Sequence, residues 1–334
     1  MLSNNAVIKD IAYYHPDNLV GNDYFIKHFD KQGIDIRSLL SAFGRKYRYI
    51  SNDINETILT MGIKATEKLL EKSKIDPNEI NTIIFSTSTP EYISPSNAIE
   101  IHESIRASSK STVYDLNANC AGMLVAIDQA SRSMRNNPNI KYSLIVGSDQ
   151  LNRYSRYDQA ITYANFGDSA CAILLENISN TENGFIDSDF YTNSSTHDKV
   201  VLPAKGLSSA IHDKSLPIKD KLVEWNDFDN RGTFLSATIS INILLERNNL
   251  KKSDIKKYFI SQFSKGGIEY VCDLLEENQN KFTFIGDRFG YTGTTSPLLA
   301  LANAIENNEL NKGDYVIFWT VGAGSTCSCI LYRY

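Results

Sequence analysis

Short apolar runs rich in β-branched and aromatic residues alternate along the chain with longer amphipathic stretches, the pattern of an α/β protein. The runs occur twice in a similar order. Residues 81–85 (NTIIF), 112–116 (TVYDL) and 142–146 (YSLIV) read as buried strands of a first half; 258–260 (YFI), 282–285 (FTFI) and 315–319 (YVIFW) are their counterparts in a second. Helices at 56–73 and 236–248 precede the two sets, each followed by a polar connector, KSKIDPNEIN or NNLKKSDIKK. This repetition predicts a duplicated βα core with pseudo-twofold symmetry. The turn-forming segment ENISNTENG at 176–184 divides it, giving an N-terminal half over 1–178 and a C-terminal half over 179–334. Residues 188–229 lack a clear period, carry Pro203 and Pro217, and are expected to form a lid-like insertion over one face.

Composition narrows the class. With 42% hydrophobic and 22% charged residues in 334, the chain can bury a sizeable core and is not disordered. A net charge of -5 with scattered Lys and Arg argues against a nucleic-acid partner. The N-terminus has no basic start or apolar run, and no window is long enough to span a bilayer, so a cytoplasmic protein without a membrane partner is expected. The cysteines, Cys120, Cys171, Cys272, Cys327 and Cys329, form no disulfide framework. Only the pair Cys327 and Cys329 has a short spacing, and GSTCSCILY alternates as a strand with both thiols on one face, the pattern of buried structural cysteines.

Chemistry concentrates in residues 115–130, DLNANCAGMLVAIDQA. A strand ending at Leu116 passes through Asn117, Ala118 and Asn119 into a helix with apolar positions at Leu124, Ile127 and Ala130, which sets Cys120 at the helix N-terminus. There the unpaired N–H groups and the positive end of the helix dipole favour thiolate over thiol, so a lowered thiol pKa is expected. Gly122 is expected to let another backbone come close. From position alone, a cysteine that merely packs is the alternative.

This elbow resembles the active-site segment of the β-ketoacyl-acyl-carrier-protein synthase III family of the thiolase superfamily, in which the cysteine carries an acyl group as a thioester. Further segments are similar to the family's in order and spacing: STSTPEYISPSNA at 86–98, VGSD at 146–149, FGDSACAILLE at 166–176 and the closing TVGAGSTCSCILYRY. The resemblance implies a thiolase fold, an α-β-α-β-α sandwich of five layers. It implies an oxyanion hole made by the backbone N–H groups of Cys120 and Ala323, the latter within Gly322-Ala323-Gly324, where side-chain identity is secondary. It also implies acyl or malonyl thioesters of acyl carrier protein or coenzyme A as substrates, with no tightly bound cofactor and no metal. A two-fold dimer is expected, with residues 142–150 and the helix after Cys120 near its interface.

The chain departs from the family at two loops that normally supply a His and an Asn to hold the extender carbonyl during decarboxylation. KKYFISQFSKGGIEYV places Ser261 at the His position, or Gln262 with a shift of one residue. RFGYTGTTSPLLAL places Tyr291 where the Asn belongs. At roughly 3 kcal/mol per lost donor, condensation would slow by up to about four orders of magnitude. His197 and His212 lie in the insertion, where one could swing toward Cys120, although a solvated loop histidine is the other reading. The family's coenzyme A contacts are replaced by Ser38, Ala42 and Ala160, leaving Arg45, Lys46, Arg48, Arg153 and Arg156 as candidates for a phosphopantetheine arm or an acidic carrier.

The sequence therefore points to an acyltransferase that resembles 3-oxoacyl-ACP synthase III and forms an acyl-thioester on Cys120, in fatty-acid-like, polyketide or secondary-metabolite biosynthesis. On its own it is expected to be a poor decarboxylative synthase. The alternative is a catalytically impaired chain-length or scaffold subunit, paired as a heterodimer with another ketosynthase-like chain. A cysteine hydrolase would need an activating His that the motifs do not supply.

Overall fold

The computed structural model describes residues 4–334. A first sheet contains β1 (Asn5–Tyr14), β2 (Ile80–Ser86), β3 (Thr112–Leu116), β4 (Tyr142–Gln150) and β5 (Asp168–Ile178), in the order β1-β5-β4-β2-β3. Strand β2 runs parallel to both β3 and β4, whereas β5 is antiparallel to β4 and β1. A second sheet contains β6 (Gly184–Thr192), β7 (Ile255–Ile260), β8 (Tyr315–Gly322) and β9 (Thr326–Arg333), in the order β7-β8-β9-β6.

The long helices are α1 (Ile58–Ser73), α2 (Asn97–Ile105), α3 (Gly122–Asn136), α4 (Arg231–Arg247), α5 (Lys265–Leu275) and α6 (Ser296–Glu306). Helices α1 and α2 cover the outer face of the first sheet, and α4 and α5 cover that of the second. Helices α3 and α6 lie between the sheets and touch both, which completes the α-β-α-β-α layering. Their sequences fit that position: α6, SPLLALANAIE, is apolar nearly all round, as a helix with a sheet on each side must be. Strand β4 is buried at every position because strands flank it and helices cover both its faces. Thr57 caps α1 by accepting from Thr60 N at 3.3 Å, while Thr60 Oγ1 accepts from Thr57 N at 2.9 Å. Cys327 and Cys329 both enter the core between β9 and α4.

Two sequence expectations are corrected. Residues 282–285 form no strand; they make a single bridge, Phe282 to Tyr258. The ladder groups are taken by a side chain instead: Gln262 Nε2 donates to Thr283 O at 3.0 Å, and its Oε1 accepts from Ile285 N at 2.8 Å. Residues 142–150, expected near a dimer interface, form an interior strand and not a sheet edge. The exposed edge beside the elbow is β3, with β4 two strands further in.

The expected lid is an ordered insertion. Val200–Val201 pairs antiparallel with Glu224–Trp225, and a short helix, Gly206–His212, lies between them in sequence. The pair is held to the body by Val223 N on Tyr154 O at 2.8 Å and by Gln159, whose side chain bonds both Trp225 O and Trp225 N at 3.1 Å.

Candidate active site

Strand β3 ends at Leu116, and the chain turns through Asn119, whose φ of 50° lies in the left-handed region that asparagine tolerates. Cys120 follows, two residues ahead of α3. It stands on the floor of a pocket of about 170 Å³. The pocket walls are mainly apolar, with Leu151, Val223, Trp225, Phe234 and Phe263 among them. No lining residue is a Lys, Arg, His, Asp or Glu. The insertion supplies one wall, where the Trp225 indole stacks on Phe263 with centroids 5.1 Å apart and planes 10° from parallel.

The packing beneath the elbow is tight. Gly122 faces not a backbone, as the sequence suggested, but the Ser86 hydroxyl; a Cβ there would lie 2.2 Å from Ser86 Oγ. Gly322 abuts the elbow backbone, since its Cβ would fall 2.7 Å from Ala118 O. That contact sets Ala323 in the pocket wall beside Cys120, and Asn119 Nδ2 donates to Ala323 O at 3.4 Å.

Asp149, at the inner end of β4, organises the floor. Its Oδ1 accepts from Ser88 N at 2.8 Å, Ser88 Oγ at 2.9 Å and Thr87 Oγ1 at 3.1 Å, and its Oδ2 accepts from Thr294 N at 2.8 Å. Gly293, with φ of 62°, permits that approach. Burial nevertheless raises the Asp149 pKa, against the pull of these donors.

The expectation of a lowered thiol pKa is overturned. Although Cys120 lines the pocket and is only partly buried as a residue, dense protein surrounds its sulfur. Burial pushes the thiol up to about 12; Asp149 adds to the rise, and the nearby Tyr291 opposes it. The helix N-terminus offers little relief because its donors are occupied. Ala121 N and Gly122 N bond back to Ala118 O and Asn119 O, and Met123 N donates to Thr294 Oγ1 at 2.9 Å.

Ser261 and Tyr291 converge here, whereas Gln262 does not. The Gln262 side chain holds Ile260 O, Thr283 O and Ile285 N, so it braces the loop and has no free group for the pocket. Ser261 Oγ is buried and makes no hydrogen bond. Tyr291 is 4% exposed and lines the pocket together with Cys120. Burial, then charge on Cys120, raises its pKa well above the ordinary phenol value.

The histidines stay outside. His197 is exposed, with Nδ1 3.1 Å from Ser194 O, although its neighbour Thr196 lines the pocket. His212 is exposed on the short insertion helix. Of the five cations suggested for a phosphopantetheine arm or carrier, Arg45 and Arg48 are buried, which corrects that assignment. Arg45 Nε donates to Asn165 Oδ1 at 2.6 Å, and its Nη2 donates to Gln262 O at 2.6 Å and Phe263 O at 2.7 Å. Arg48 donates to Asn22 Oδ1 and Ala164 O. Burial lowers both guanidinium pKa values to about 9. Arg156 pairs with Asp158 and Glu224, and Arg153 donates to the carbonyls of Asp53 and Ile54. Lys46 remains exposed. Ser38 and Ala42 are exposed on the short helix Arg37–Phe43, and Ala160 starts the helix Ala160–Tyr163, so none brings a ring or charge.

The sequence reading missed Asp149 as a hub, although VGSD contains it, and missed Trp225 and Phe263. Their apolar character was visible, but nothing local marks a pocket wall.

Comparison with known proteins finds similarity over nearly the whole chain. Residues 114–194 match the family described as 3-oxoacyl-[acyl-carrier-protein] synthase III, and 245–334 match the C-terminal part described for the same synthase. A β-ketoacyl-[acyl-carrier-protein] synthase III of Clostridium novyi is 30% identical over 334 residues, covering 99% of each chain. The crystal structure of the synthase III of Pseudomonas aeruginosa PAO1 superposes with a TM-score of 0.85 at 20% identity, covering 99% of this chain and 98% of that one. A priming β-ketosynthase from the R1128 polyketide biosynthetic pathway gives 0.87 at 19% identity, covering 99% and 96%.

Proposed function

The chain belongs to the 3-oxoacyl-[acyl-carrier-protein] synthase III family, and from that premise we propose that it is an acyltransferase whose Cys120 accepts an acyl group from a thioester and passes it on, with little decarboxylative condensation of its own. Its fold is the thiolase fold. The observation that carries the proposal is Cys120 at the floor of a largely apolar pocket without a single charged side chain in its lining. An acyl chain gains from burial against such walls, at roughly 25 cal/mol per Å² of apolar surface. A malonyl carboxylate entering the same space would lose its hydration without meeting a cation. Ser261 and Tyr291 further support this reading, since neither is a base matched to neutral pH. The N–H groups of Cys120 and Ala323 are the proposed oxyanion hole.

The substrates in this reading are acyl thioesters of acyl carrier protein or coenzyme A, within fatty-acid-like, polyketide or related chain assembly in the cytoplasm. Among the described residues no helix is long and apolar enough to cross a membrane. A two-fold dimer through the free β3 edge is part of the proposal. Tyr92, Ile93 and Ile99, exposed on the loop and helix that follow β2, are candidates for burial there.

Intact-protein mass spectrometry with a panel of acyl thioesters, followed by peptide mapping, tests the proposal. Added acyl mass on Cys120 alone is the expected result; an unmodified Cys120 across the panel would sink it. The raised thiol pKa favours a second reading, a scaffold subunit of a heteromeric ketosynthase. In that case Cys120→Ala would leave the activity of the assembled complex unchanged.

A further inference from the structure

Aromatic side chains gather around Cys120 beyond what the composition of the chain supplies. Seven of the 24 residues lining the pocket are Phe, Tyr or Trp, against 10% of the whole chain. Five of them form an unbroken series of ring contacts. Phe228 stacks on Trp225 with centroids 6.3 Å apart and planes at 28°, and Trp225 stacks on Phe263 at 5.1 Å and 10°. Phe263 meets Tyr291 edge to face at 5.3 Å and 84°, and Tyr291 tilts against Phe166 at 5.9 Å and 45°. Four separate stretches of chain supply these rings: the insertion, the loop after β7, the loop before α6 and the residues just before β5.

The series is fixed from outside the pocket. Gln159 holds both backbone groups of Trp225, and Arg45 Nη2 donates to Phe263 O at 2.7 Å. Tyr291 N donates to Asn165 O and Gly167 N donates to Tyr291 O, both at 2.9 Å, which ties Tyr291 to the segment carrying Phe166. In an ordinary core such rings would close on one another. Here Trp225 and Phe228 stay partly exposed, and about 170 Å³ is left open beside them. An apolar cavity of about 150 Å³ holds one benzene. Preformed walls spare a rigid, flat guest the ordering that a flexible chain must undergo. An aromatic guest also gains from offset or edge-to-face contact beyond its buried area, whereas a saturated one gains from burial alone.

We propose that the acyl group taken by Cys120 is a neutral, single-ring arylacyl group, with its ring lodged against Trp225 and Phe263 and a short link to the thioester. The inference rests on the acyltransferase reading above and names its substrate class. In the transfer, the bond between the acyl carbon and the carrier's sulfur is replaced by one to Cys120 Sγ, and the Cys120 proton ends on the departing thiol. A ring bearing a carboxylate or an ammonium group is disfavoured, because no charged side chain lines the pocket to pair with it.

The test compares single-turnover acylation of Cys120 at pH 8 by phenylacetyl- and cyclohexylacetyl-N-acetylcysteamine, which share their carbon count and differ in the ring. Each rate constant is divided by that ester's rate with mercaptoethanol, so that intrinsic reactivity cancels. With the ring against Trp225 and Phe263, and each contact worth about threefold, phenylacetyl transfer should be about tenfold faster. Trp225→Leu should leave about threefold; because the ratio is taken within one variant, partial loss of folded protein does not alter it. A wild-type ratio near one would overturn the arylacyl assignment and leave the acyltransferase reading standing. A tenfold ratio that persists in Trp225→Leu would overturn the placement of the ring. Should neither ester add mass to Cys120, the acyltransferase reading falls, and tryptophan fluorescence then tests the ring site by itself. Phenylacetamide should quench the wild type at about tenfold lower concentration than cyclohexylacetamide; equal or absent quenching would overturn the ring site as well.

Discussion

Raising the pH in the presence of iodoacetamide isolates the ionisation of Cys120 from the chemistry of acyl transfer. The leaving iodide takes no proton, so alkylation draws only on thiolate. With the thiol pushed up to about 12, roughly one molecule in 10⁵ carries thiolate at pH 7. An ordinary cysteine near 8.5 has about 3,000-fold more. The more basic sulfur is also the better nucleophile; a Brønsted coefficient near 0.45 returns about 40-fold. Cys120 should therefore alkylate about a hundredfold more slowly than free cysteine at pH 7. The rate should rise about tenfold per unit up to pH 10 without a plateau. The assay is peptide mapping of carbamidomethylated Cys120 over time at each pH. A plateau between pH 6 and 8 would refute the reasoning, because it would mean that the dipole of α3 outweighs the burial of the sulfur and the nearby Asp149.

Two substitutions test the packing around the elbow and pocket. Gly122→Ala sets a methyl 2.2 Å from Ser86 Oγ, so it should lower unfolding free energy by about 1–3 kcal/mol in urea titrations; an unchanged midpoint would contradict the close approach. Trp225→Ala removes the indole stacked on Phe263 and enlarges the pocket, and mass spectrometry of Cys120 adducts should show a preference shifted toward longer acyl chains.

The elements that could be read from the sequence are those whose pattern is local. The β3–elbow–α3 segment appears as expected because strand period, turn-tolerant Asn residues and helical spacing of Leu124, Ile127 and Ala130 lie within 19 residues of chain, from Thr112 to Ala130. The failed strand at 282–285 has the right residues, but a strand exists only if its ladder groups find a partner strand. Gln262 took them, from 21 and 23 residues away.

The site divides along the same line. Resemblance to the family's motifs pointed to Cys120, Ala323, Ser261 and Tyr291, yet it could not choose between Ser261 and Gln262. Neighbouring residues at a strand end point in different directions, and only the contacts around them decide which one faces the nucleophile. The buried Arg45 and Arg48 looked like surface cations because charge says nothing about which groups surround it once the chain has folded. The thiol pKa follows the same rule. A helix terminus is a property of sequence, whereas desolvation depends on what Tyr291, Phe263 and the insertion place around the sulfur, and that was decided by the tertiary structure alone.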